Sequence, residues 1–419
     1  MAEKFVPNVE RTFDIEKTLL MRFQKINSEE LTQRGGRVPV ETMRQGSFQG
    51  GTESQEMPAA VVGEDKYWAP SLKVVYSTGE FSGLAHLQSK YAGSLTVKGR
   101  ETMLSVGNML AEKVASHTDD FSWQLDRHSY RDGKGKLASA ITAITTGAGG
   151  TFTVDPTSAN YPVDEIAKGL RLNFYSSAGS IHNQSAAVPV TIVSSVNTTT
   201  GVVTCDTIPT DAVVGDFAVH EGSWDLLPNG LEGMVQSSNV TVAGIDVSNY
   251  ANLKSATYAA TGAFDIRFVN RMQTRSRKYG GVKRPRNDYV LITHPKQVDA
   301  YRNQGYALNT VIGDSNRNND TMDLGYSNVT ISGMQIYEAN NCGERDMYGL
   351  RMDTFRRYSL FEPNLLPIWD GESQYLGPKP GTNAPKHVLQ YFFAAYYNPL
   401  CVNPAANFRI STLDKTNLG

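Results

Sequence analysis

The chain has 419 residues, of which 40% are hydrophobic and 20% are charged; this is enough sequence for about two or three folded regions with apolar cores. The formal net charge of -2 predicts neither a nucleic-acid partner nor a membrane partner from bulk charge alone. Cys205, Cys342 and Cys401 lie too far apart in sequence to indicate a disulfide framework or a zinc site. We expect no signal peptide, no membrane span of about 20 apolar residues and synthesis in a reducing compartment.

The first 82 residues are predicted to contain an arm and an extended hairpin, and residues 32–82 offer little apolar core. Residues 1–31 are predicted to form an arm with one short amphipathic helix around 13–23, which is too short to be stable alone. Residues 32–82 are predicted to form an extended hairpin, with a first strand around 35–45, a glycine-rich turn at 48–54 and a second strand at 67–77. Because an isolated two-stranded hairpin is only marginally stable, it needs a partner surface. A disordered loop is the alternative.

Residues 94–130 carry the longest helical pattern of the chain and are predicted to form its spine. The apolar positions recur at spacings of three and four, which places them on one stripe of a helix: Met103, Val106, Leu110, Val114, His117, Phe121 and Leu125, widened by Leu104 and Trp123. Such a helix would span roughly 50 Å. It ends in the glycine-rich segment 131–136, and its stripe requires a sheet or another helix along its length.

The composition shifts to Thr, Val, Ser and Gly after residue 150. A strand is predicted around 137–145 and a linker at 146–150. Five short strands separated by turn residues then predict an inserted β-domain, a small barrel or sandwich, at 150–222. The candidates are Phe152 to Val154, Leu170 to Phe174, Val190 to Val193, Val202 to Cys205 and Phe217 to Val219.

The remaining sequence mixes helix and strand patterns, so the fold class is α+β. In residues 223–317 the pattern predicts a helix at 263–278, a strand at 288–293 and a short helix at 294–304. Residues 318–419 are predicted to be strand-rich, with candidate strands at 329–331, 334–337, 347–350, 358–361, 391–397 and 408–410.

The segment from Asp132 to Lys136 could be taken for a phosphate-binding loop. Its spacing does not match Gly-x-x-x-x-Gly-Lys-Ser/Thr, and it follows a helix instead of preceding one. The C-terminus of a helix repels phosphate through its dipole. A helix stop is therefore the favoured interpretation.

A basic cluster follows in the second half of the chain: Arg267, Arg271, Arg275, Arg277, Lys278, Lys283, Arg284 and Arg286. Arg267, Arg271 and Arg275 are four residues apart and so share one helix face. This face could contact phosphate. A solvated face, or an ion-pair site between subunits, is the favoured interpretation, and cations are in addition favoured near the C-terminus of a helix.

No catalytic, cofactor-binding or metal-binding residue is predicted. The sequence contains neither a Gly-x-Ser-x-Gly elbow nor a His-Glu-x-x-His motif. His117 lies on the apolar stripe, where a packed core histidine is favoured over a ligand or base. The chain is therefore expected not to be an enzyme.

The order of these features resembles the major capsid proteins of tailed phages, which have the Hong Kong 97-type fold. The most specific stretch, 125–138, reads Leu-Asp-Arg-His-Ser-Tyr-Arg-Asp-Gly-Lys-Gly-Lys-Leu-Ala. It is similar to the segment with which one branch of the family ends its spine helix, although Arg131 replaces a glycine and lysines replace a threonine and a following residue. Further landmarks of that branch are Gly215-Asp216, residues 231–235, residues 244–246 and Gly280-Gly281, and some members carry a β-domain where this chain has its insert.

The resemblance implies an arm at 1–31, an extended hairpin loop at 32–82, a peripheral domain with the spine helix at 83–149, the inserted β-domain at 150–222 and an axial domain at 223–317. Strands at 318–419 would return to the peripheral and axial domains. It implies an icosahedral shell built from hexamers and pentamers of this chain around the double-stranded DNA of a tailed bacteriophage. Other expected partners are a separate scaffolding protein, a portal and decoration proteins, with DNA contacted only non-specifically and no membrane.

The expected location is the virion, after assembly in the host cytoplasm. Two alternatives remain at the level of sequence: another virion component, such as a tail or decoration protein, and a polysaccharide-active enzyme, which would need converging carboxylates. Some family members cross-link a hairpin lysine to a neighbouring subunit, but the surroundings of Lys66 match no cross-linking motif.

Overall fold

The protein has a mixed, strand-rich α+β fold in a computed structural model that describes 16 stretches of the chain. These are residues 24–26, 38–42, 65–82, 116–156, 158, 161, 163–182, 190–237, 241–250, 252–262, 264–280, 289–301, 330–331, 334–369, 376–378 and 385–414. The predicted arm helix, the tip of the predicted hairpin and the spine before residue 116 lie outside the described residues.

The strands of the first half are β1 (Gln24–Ile26), β2 (Val38–Glu41), β3 (Asp65–Trp68), β4 (Lys73–Ser82), β5 (Ile141–Thr145), β6 (Gly147–Ala148), β7 (Thr151–Val154), β8 (Arg171–Tyr175), β9 (Thr191–Asn197), β10 (Val202–Cys205), β11 (Thr207–Ile208) and β12 (Phe217–His220). Those of the second half are β13 (Thr241–Val242), β14 (Ile245–Asp246), β15 (Ala256–Gly262), β16 (Tyr289–Thr293), β17 (Thr330–Ile331), β18 (Met334–Glu338), β19 (Met347–Arg351), β20 (Phe355–Trp369), β21 (Leu376–Pro378), β22 (Pro385–Cys401) and β23 (Phe408–Leu413).

The helices are α1, described over residues 116–128, α2 (Leu231–Met234), α3 (Ile266–Gly280) and α4, described over residues 295–301. Short 3-10 turns lie at Val163–Glu165, Val247–Asn249, Met352–Thr354 and Pro404–Ala406.

The long sheet joins both ends of the described chain. Its core is the antiparallel pair β20 and β22, with β1 parallel to β20 and β4 antiparallel to β22. The prediction of one strand over 67–77 was wrong, because β3 ends at Trp68 and β4 begins at Lys73. Pro70 lies between them, and a proline cannot donate to a strand ladder.

Helix α1 packs on this sheet through the stripe that the sequence predicted. Phe121 stacks on Phe393 of β22 with ring centroids 5.7 Å apart, and Leu125 is buried in the same cluster. The cluster also contains Tyr348 and Leu350 of β19, so the helix contacts residues of two sheets. Over residues 116–128 the apolar stripe therefore packs on a sheet. Trp123, which was expected to widen the stripe, is 42% exposed.

Strands β5 to β12, which we call the β-domain, surround an apolar core of their own. Six strands pair in the order β12-β8-β9-β10-β7-β5, and all of these neighbours are antiparallel. Strand β5 pairs with β7 across residues 146–150, so this sheet includes a strand that precedes residue 150. The predicted linker is a hairpin connection, in which Gly147 and Gly149 adopt positive φ angles of 99° and 66°.

The third large sheet has the order β15-β23-β19-β16-β18-β17. It combines parallel pairs, such as β15 with β23, with antiparallel ones, such as β16 with β19. Helix α3 buries Val269 and Met272 in the cluster that this sheet forms. The predicted regions 223–317 and 318–419 therefore share one sheet.

Strands β2 and β3 form a separate antiparallel pair, with Val38 opposite Trp68. Trp68 is fully buried in a cluster with Val242, Ile245 and Leu400, which lie on other parts of the chain. Two strands of the 32–82 region thus pair as predicted. Through Trp68 they pack on other parts of the same chain.

Candidate functional site

Helix α1 ends at the landmark segment that the sequence analysis singled out. The helix stops at residue 128, and the Ser129 hydroxyl donates to the Leu125 carbonyl at 2.7 Å. Gly133 and Gly135 then adopt φ angles of 77° and 75°, which favour glycine. A Cβ on Gly135 would lie 2.9 Å from the Ser223 carbonyl oxygen. The segment is a helix stop pressed against the chain that leaves the β-domain, so the prediction of a helix stop is confirmed.

Two buried arginines at the end of this helix bind the β-domain through ion pairs. Arg127 and Arg131 both form ion pairs with Glu165, and the Arg131 Nη2 donates to the two carboxylate oxygens at 2.8 and 2.7 Å. Arg127 also donates to the Leu137 carbonyl at 3.2 Å, and Arg131 donates to the Lys136 carbonyl at 3.1 Å. Buried charges persist when they are paired and hydrogen-bonded in this way.

The network continues from the β-domain into the third sheet. The Arg131 guanidinium lies 4.3 Å from the centre of the Tyr161 ring, and the Tyr161 hydroxyl donates to Glu232 at 2.9 Å. Glu232, on α2, accepts a hydrogen bond from Arg409 of β23 at 3.2 Å. Arg409 also donates to Asp346 at 2.8 Å. We call this set the junction: Arg127, Arg131, Tyr161, Glu165, Glu232, Asp346 and Arg409.

Burial dominates the electrostatics of the junction. It raises the pKa of Tyr161 well above its usual value, and the nearby Glu232 and Asp132 carboxylates raise it further. Burial also raises the pKa of the Asp346 carboxyl, while Arg409 opposes that change. The pKa of Arg131 is lowered by burial, against the attraction of Tyr161, Glu232 and Asp132. Each charge is therefore kept in the interior by its partners.

The junction is built to position folded regions relative to one another. Its members come from α1, the β-domain, α2 and the third sheet. The sequence pattern marked the segments 125–138 and 231–235 but did not reveal the ion pairs that their residues form. The available signal was the pair of cations Arg127 and Arg131, which stand on either side of the predicted helix end.

The predicted basic cluster forms an exposed face of α3 in its described part. Arg267 pairs with Asp265 at 2.5 Å, and Arg271 lies 5.4 Å from the centre of the Tyr258 ring. Arg271 and Arg275 are exposed. This placement agrees with the favoured interpretation of a solvated helix face. Lys283, Arg284 and Arg286 lie outside the described residues.

His117 is a packed histidine, as expected. Its Nε2 lies 2.7 Å from the Ser77 hydroxyl, and its ring meets the Phe393 ring edge-on at 5.0 Å. Burial lowers its pKa. Cys205, Cys342 and Cys401 are buried and form no disulfide. Lys66, considered as a cross-linking residue, lies 4.9 Å from the centre of the Tyr250 ring of the same chain.

Within the described stretches of the chain, no group of three or more His, Cys, Asp or Glu side chains is arranged to hold a metal ion. No helix in that part of the chain is long and apolar enough to cross a membrane.

No protein-family model matches the chain, and no curated protein matches it. Among solved structures, it is similar to the cyanophage A-1(L) capsid asymmetric unit, with 12% identity and a TM-score of 0.49 over 93% of each chain. It is also similar to the capsid of a native GTA particle, with 10% identity and a TM-score of 0.44 over 95% of this chain and 90% of that one. A structure of Mycobacterium phage Adephagia gives 8% identity and a TM-score of 0.44 over 94% and 90%. With identities this low, the function of this chain has to be argued from its own residues.

Proposed function

We propose that this chain is a major capsid protein of a tailed bacteriophage, with the Hong Kong 97-type fold and an inserted β-domain. The observation that carries the proposal is the position of segment 125–138. Its sequence most resembles the family, and its residues end α1 and tie that helix to the β-domain by buried ion pairs. A segment with this role at the end of a spine helix is what the family resemblance requires.

The strand pairings support the regions assigned from the resemblance. The pairing of β2 with β3 supports an extended hairpin loop, and the packing of α1 on β22 supports a peripheral domain built around a spine helix. The sheet that joins β15 and β16 to β19 and β23 supports an axial domain to which the C-terminal strands return. In this assignment the inserted β-domain begins with β5, earlier than residue 150.

The proposed role is structural and not enzymatic. Copies of the chain form hexamers and pentamers that close into an icosahedral shell, so each surface must serve several symmetry-related neighbours. The arm and the hairpin loop are the parts proposed to reach adjacent copies. A separate scaffolding protein, a portal and decoration proteins are the further partners, and packaged DNA is contacted without sequence specificity. The proposed location is the virion, assembled in the host cytoplasm.

The test is to express the full chain and image the purified material by electron microscopy, with and without its scaffolding protein. We expect capsomers or closed shells. A chain that stays monomeric at every protein and salt concentration, including with scaffold present, would overturn the proposal. Rings or spikes that bind to preformed shells would instead identify a tail or decoration protein.

A further inference from the structure

A cavity of about 400 Å³ lies beside the junction. Its walls come from three parts of the molecule: the last turns of α1, strand β4 with Tyr397 of β22, and the β-domain with the segment that leaves it. Two histidines line it, His128 from α1 and His220 from the end of β12. The cavity therefore opens between the helix and the β-domain where the two are fastened together.

The two imidazoles face each other across this contact. Their ring centroids are 6.0 Å apart, and the rings are inclined by 66°. His128 is only 5% exposed. Among the described residues, neither Nδ1 of His128 nor Nε2 of His220 has a hydrogen-bond partner. A buried polar group without a partner is costly, so a structural role alone does not account for a pair of them.

The charged groups around the pair favour neutral rings. At the end of α1, Arg127 and Arg131 lie near His128 in the chain, and the single carboxylate of Glu165 pairs with both of these arginines. On the β-domain side, Arg171 and Glu221 line the cavity as a mutual ion pair of 2.6 Å. From the long sheet, the titratable lining groups are the phenols of Tyr76 and Tyr397. Among the described lining residues, Glu221 is the one carboxylate.

We propose that His128 and His220 form an acid-sensitive hinge, in which protonation of the rings loosens the contact between the end of α1 and the β-domain. A proton on either ring adds a cation beside Arg127 and Arg131 in a buried site. Opening the contact lets water solvate that charge. The cavity supplies the space into which the rings can separate, and the chain crosses this contact near Leu137 and again after His220. The hinge is a property of the single chain and does not depend on shell assembly.

The direction of the pH effect follows from the electrostatics. Burial, reinforced by Arg127, lowers the pKa of His128 well below its usual value. Burial, with the same arginine, lowers the pKa of His220 to about 4. In the open form the rings regain an ordinary pKa of about 6.5. Between pH 6.5 and 4 the open form therefore binds more protons, so the closed contact is stable above this window and weakens as the pH falls through it.

The experiment measures amide hydrogen exchange of the full chain between pH 7 and 4, corrected for the intrinsic pH dependence of exchange. Two amides beside the contact serve as reporters. Leu137 N–H, in the segment that leads from the helix end to β5, donates to the Ala218 carbonyl of β12 at 3.0 Å, and Leu231 N–H, in the segment that follows the β-domain, donates to the Ser129 carbonyl at 2.8 Å. Their corrected opening should rise on the order of a hundredfold from pH 7 to 4.5, because one imidazole changes its pKa from about 4 to about 6.5 on opening.

The variants separate the hinge from general acid instability. The combined substitution His128→Gln and His220→Gln should remove most of this rise, since glutamine does not titrate. His294→Gln is the matched control, because His294 is a half-buried histidine in another part of the chain and burial also lowers its pKa. An unchanged pH dependence in the double variant, or its loss in the control, would overturn the proposal. A histidine NMR titration of the unsubstituted protein provides an independent check, and a pKa near 6.5 for His220 would contradict the hinge.

Discussion

The β-domain and the paired strands β2 and β3 are stabilised in opposite ways. The β-domain buries its own residues, among them Phe152 and Phe174, whose rings meet edge-on at 5.4 Å. Strands β2 and β3 bury Trp68 against residues from elsewhere in the chain. The β-domain therefore determines its own structure, whereas β2 and β3 depend on the surface against which they lie.

The largest effect expected from this comparison is on assembly. Shortening the chain between Gly46 and Lys66 should leave the fold intact but abolish stable shells, because an interface segment adds contacts to a neighbour and little to its own core. Electron microscopy and circular dichroism would separate the two outcomes. Shortening the β-domain turn around Asn197 to Gly201 is the control, and it should leave shells intact. Normal shells from the first variant would show that the hairpin loop does not bridge subunits.

Truncating one buried aromatic side chain in each region should destabilise that region and leave the other intact. Trp68→Ala removes a fully buried side chain, and we expect a loss of about 3–5 kcal/mol with faster amide exchange in β2 and β3. Phe174→Ala should cost a similar amount but expose the β-domain instead. Denaturant unfolding combined with hydrogen exchange gives both readouts.

Tyr67→Ala provides the matched control for Trp68→Ala. Tyr67 is the neighbouring residue and is 54% exposed, so its truncation should change stability by no more than about 0.5 kcal/mol. Equal losses for the two substitutions would mean that β2 and β3 are not anchored through Trp68.

The attachment of the β-domain should be lost more readily than its fold. Glu165→Gln leaves Arg127 and Arg131 buried without their shared carboxylate, and we expect a cost of roughly 3 kcal/mol. Glu221→Gln breaks the exposed pair with Arg171 and should cost no more than about 1 kcal/mol. Urea unfolding curves of the two variants test the difference. If the two substitutions lower the free energy of unfolding by similar amounts, the ion pairs of the junction contribute little to the attachment of the β-domain.

Cysteine reactivity can report on the two regions separately, and here the substitution Trp68→Ala is expected to leave the β-domain unchanged. Burial raises the pKa of Cys205, in the β-domain, and that of Cys401, in the long sheet, each to about 12. Because the thiolate is the reactive form, alkylation at pH 8 should be about a thousandfold slower than in the unfolded chain. In the Trp68→Ala variant, Cys205 should still be alkylated slowly. Mass spectrometry of the labelled peptides measures this rate, and fast alkylation of Cys205 in that variant would contradict the prediction.

The sequence predicted best those elements whose pairing is local. All five strand candidates of the inserted β-domain, from Phe152 to Val219, coincide with observed strands, because turn residues mark their ends. Pro70 is likewise a local signal, because a proline interrupts a strand ladder. The prediction of one strand over 67–77 did not take it into account. The pairing of β5 with β7 was not predicted, because a strand pattern in the sequence does not indicate which other strand it will pair with.

The junction shows why its ion pairs could not be predicted. Arg131 and Glu165 are 34 residues apart, and Glu232 and Arg409 are 177 residues apart. Charge alone would place these residues on the surface, and only the assembled fold brings them into the interior. The helix stop at Gly133 and Gly135, in contrast, could be predicted, because glycine readily adopts the positive φ angles that end a helix.

The pairing of β4 with β22 has a consequence for the timing of synthesis. The hydroxyls of Tyr76 and Tyr396 lie 3.1 Å apart, although 320 residues separate them in the chain. At ordinary translation rates the ribosome needs roughly 15 to 60 s to cover that distance, and the β-domain can fold in the interval. The long sheet is therefore completed only near the end of translation, so a nascent chain cannot present a finished subunit to its neighbours before it is almost fully made.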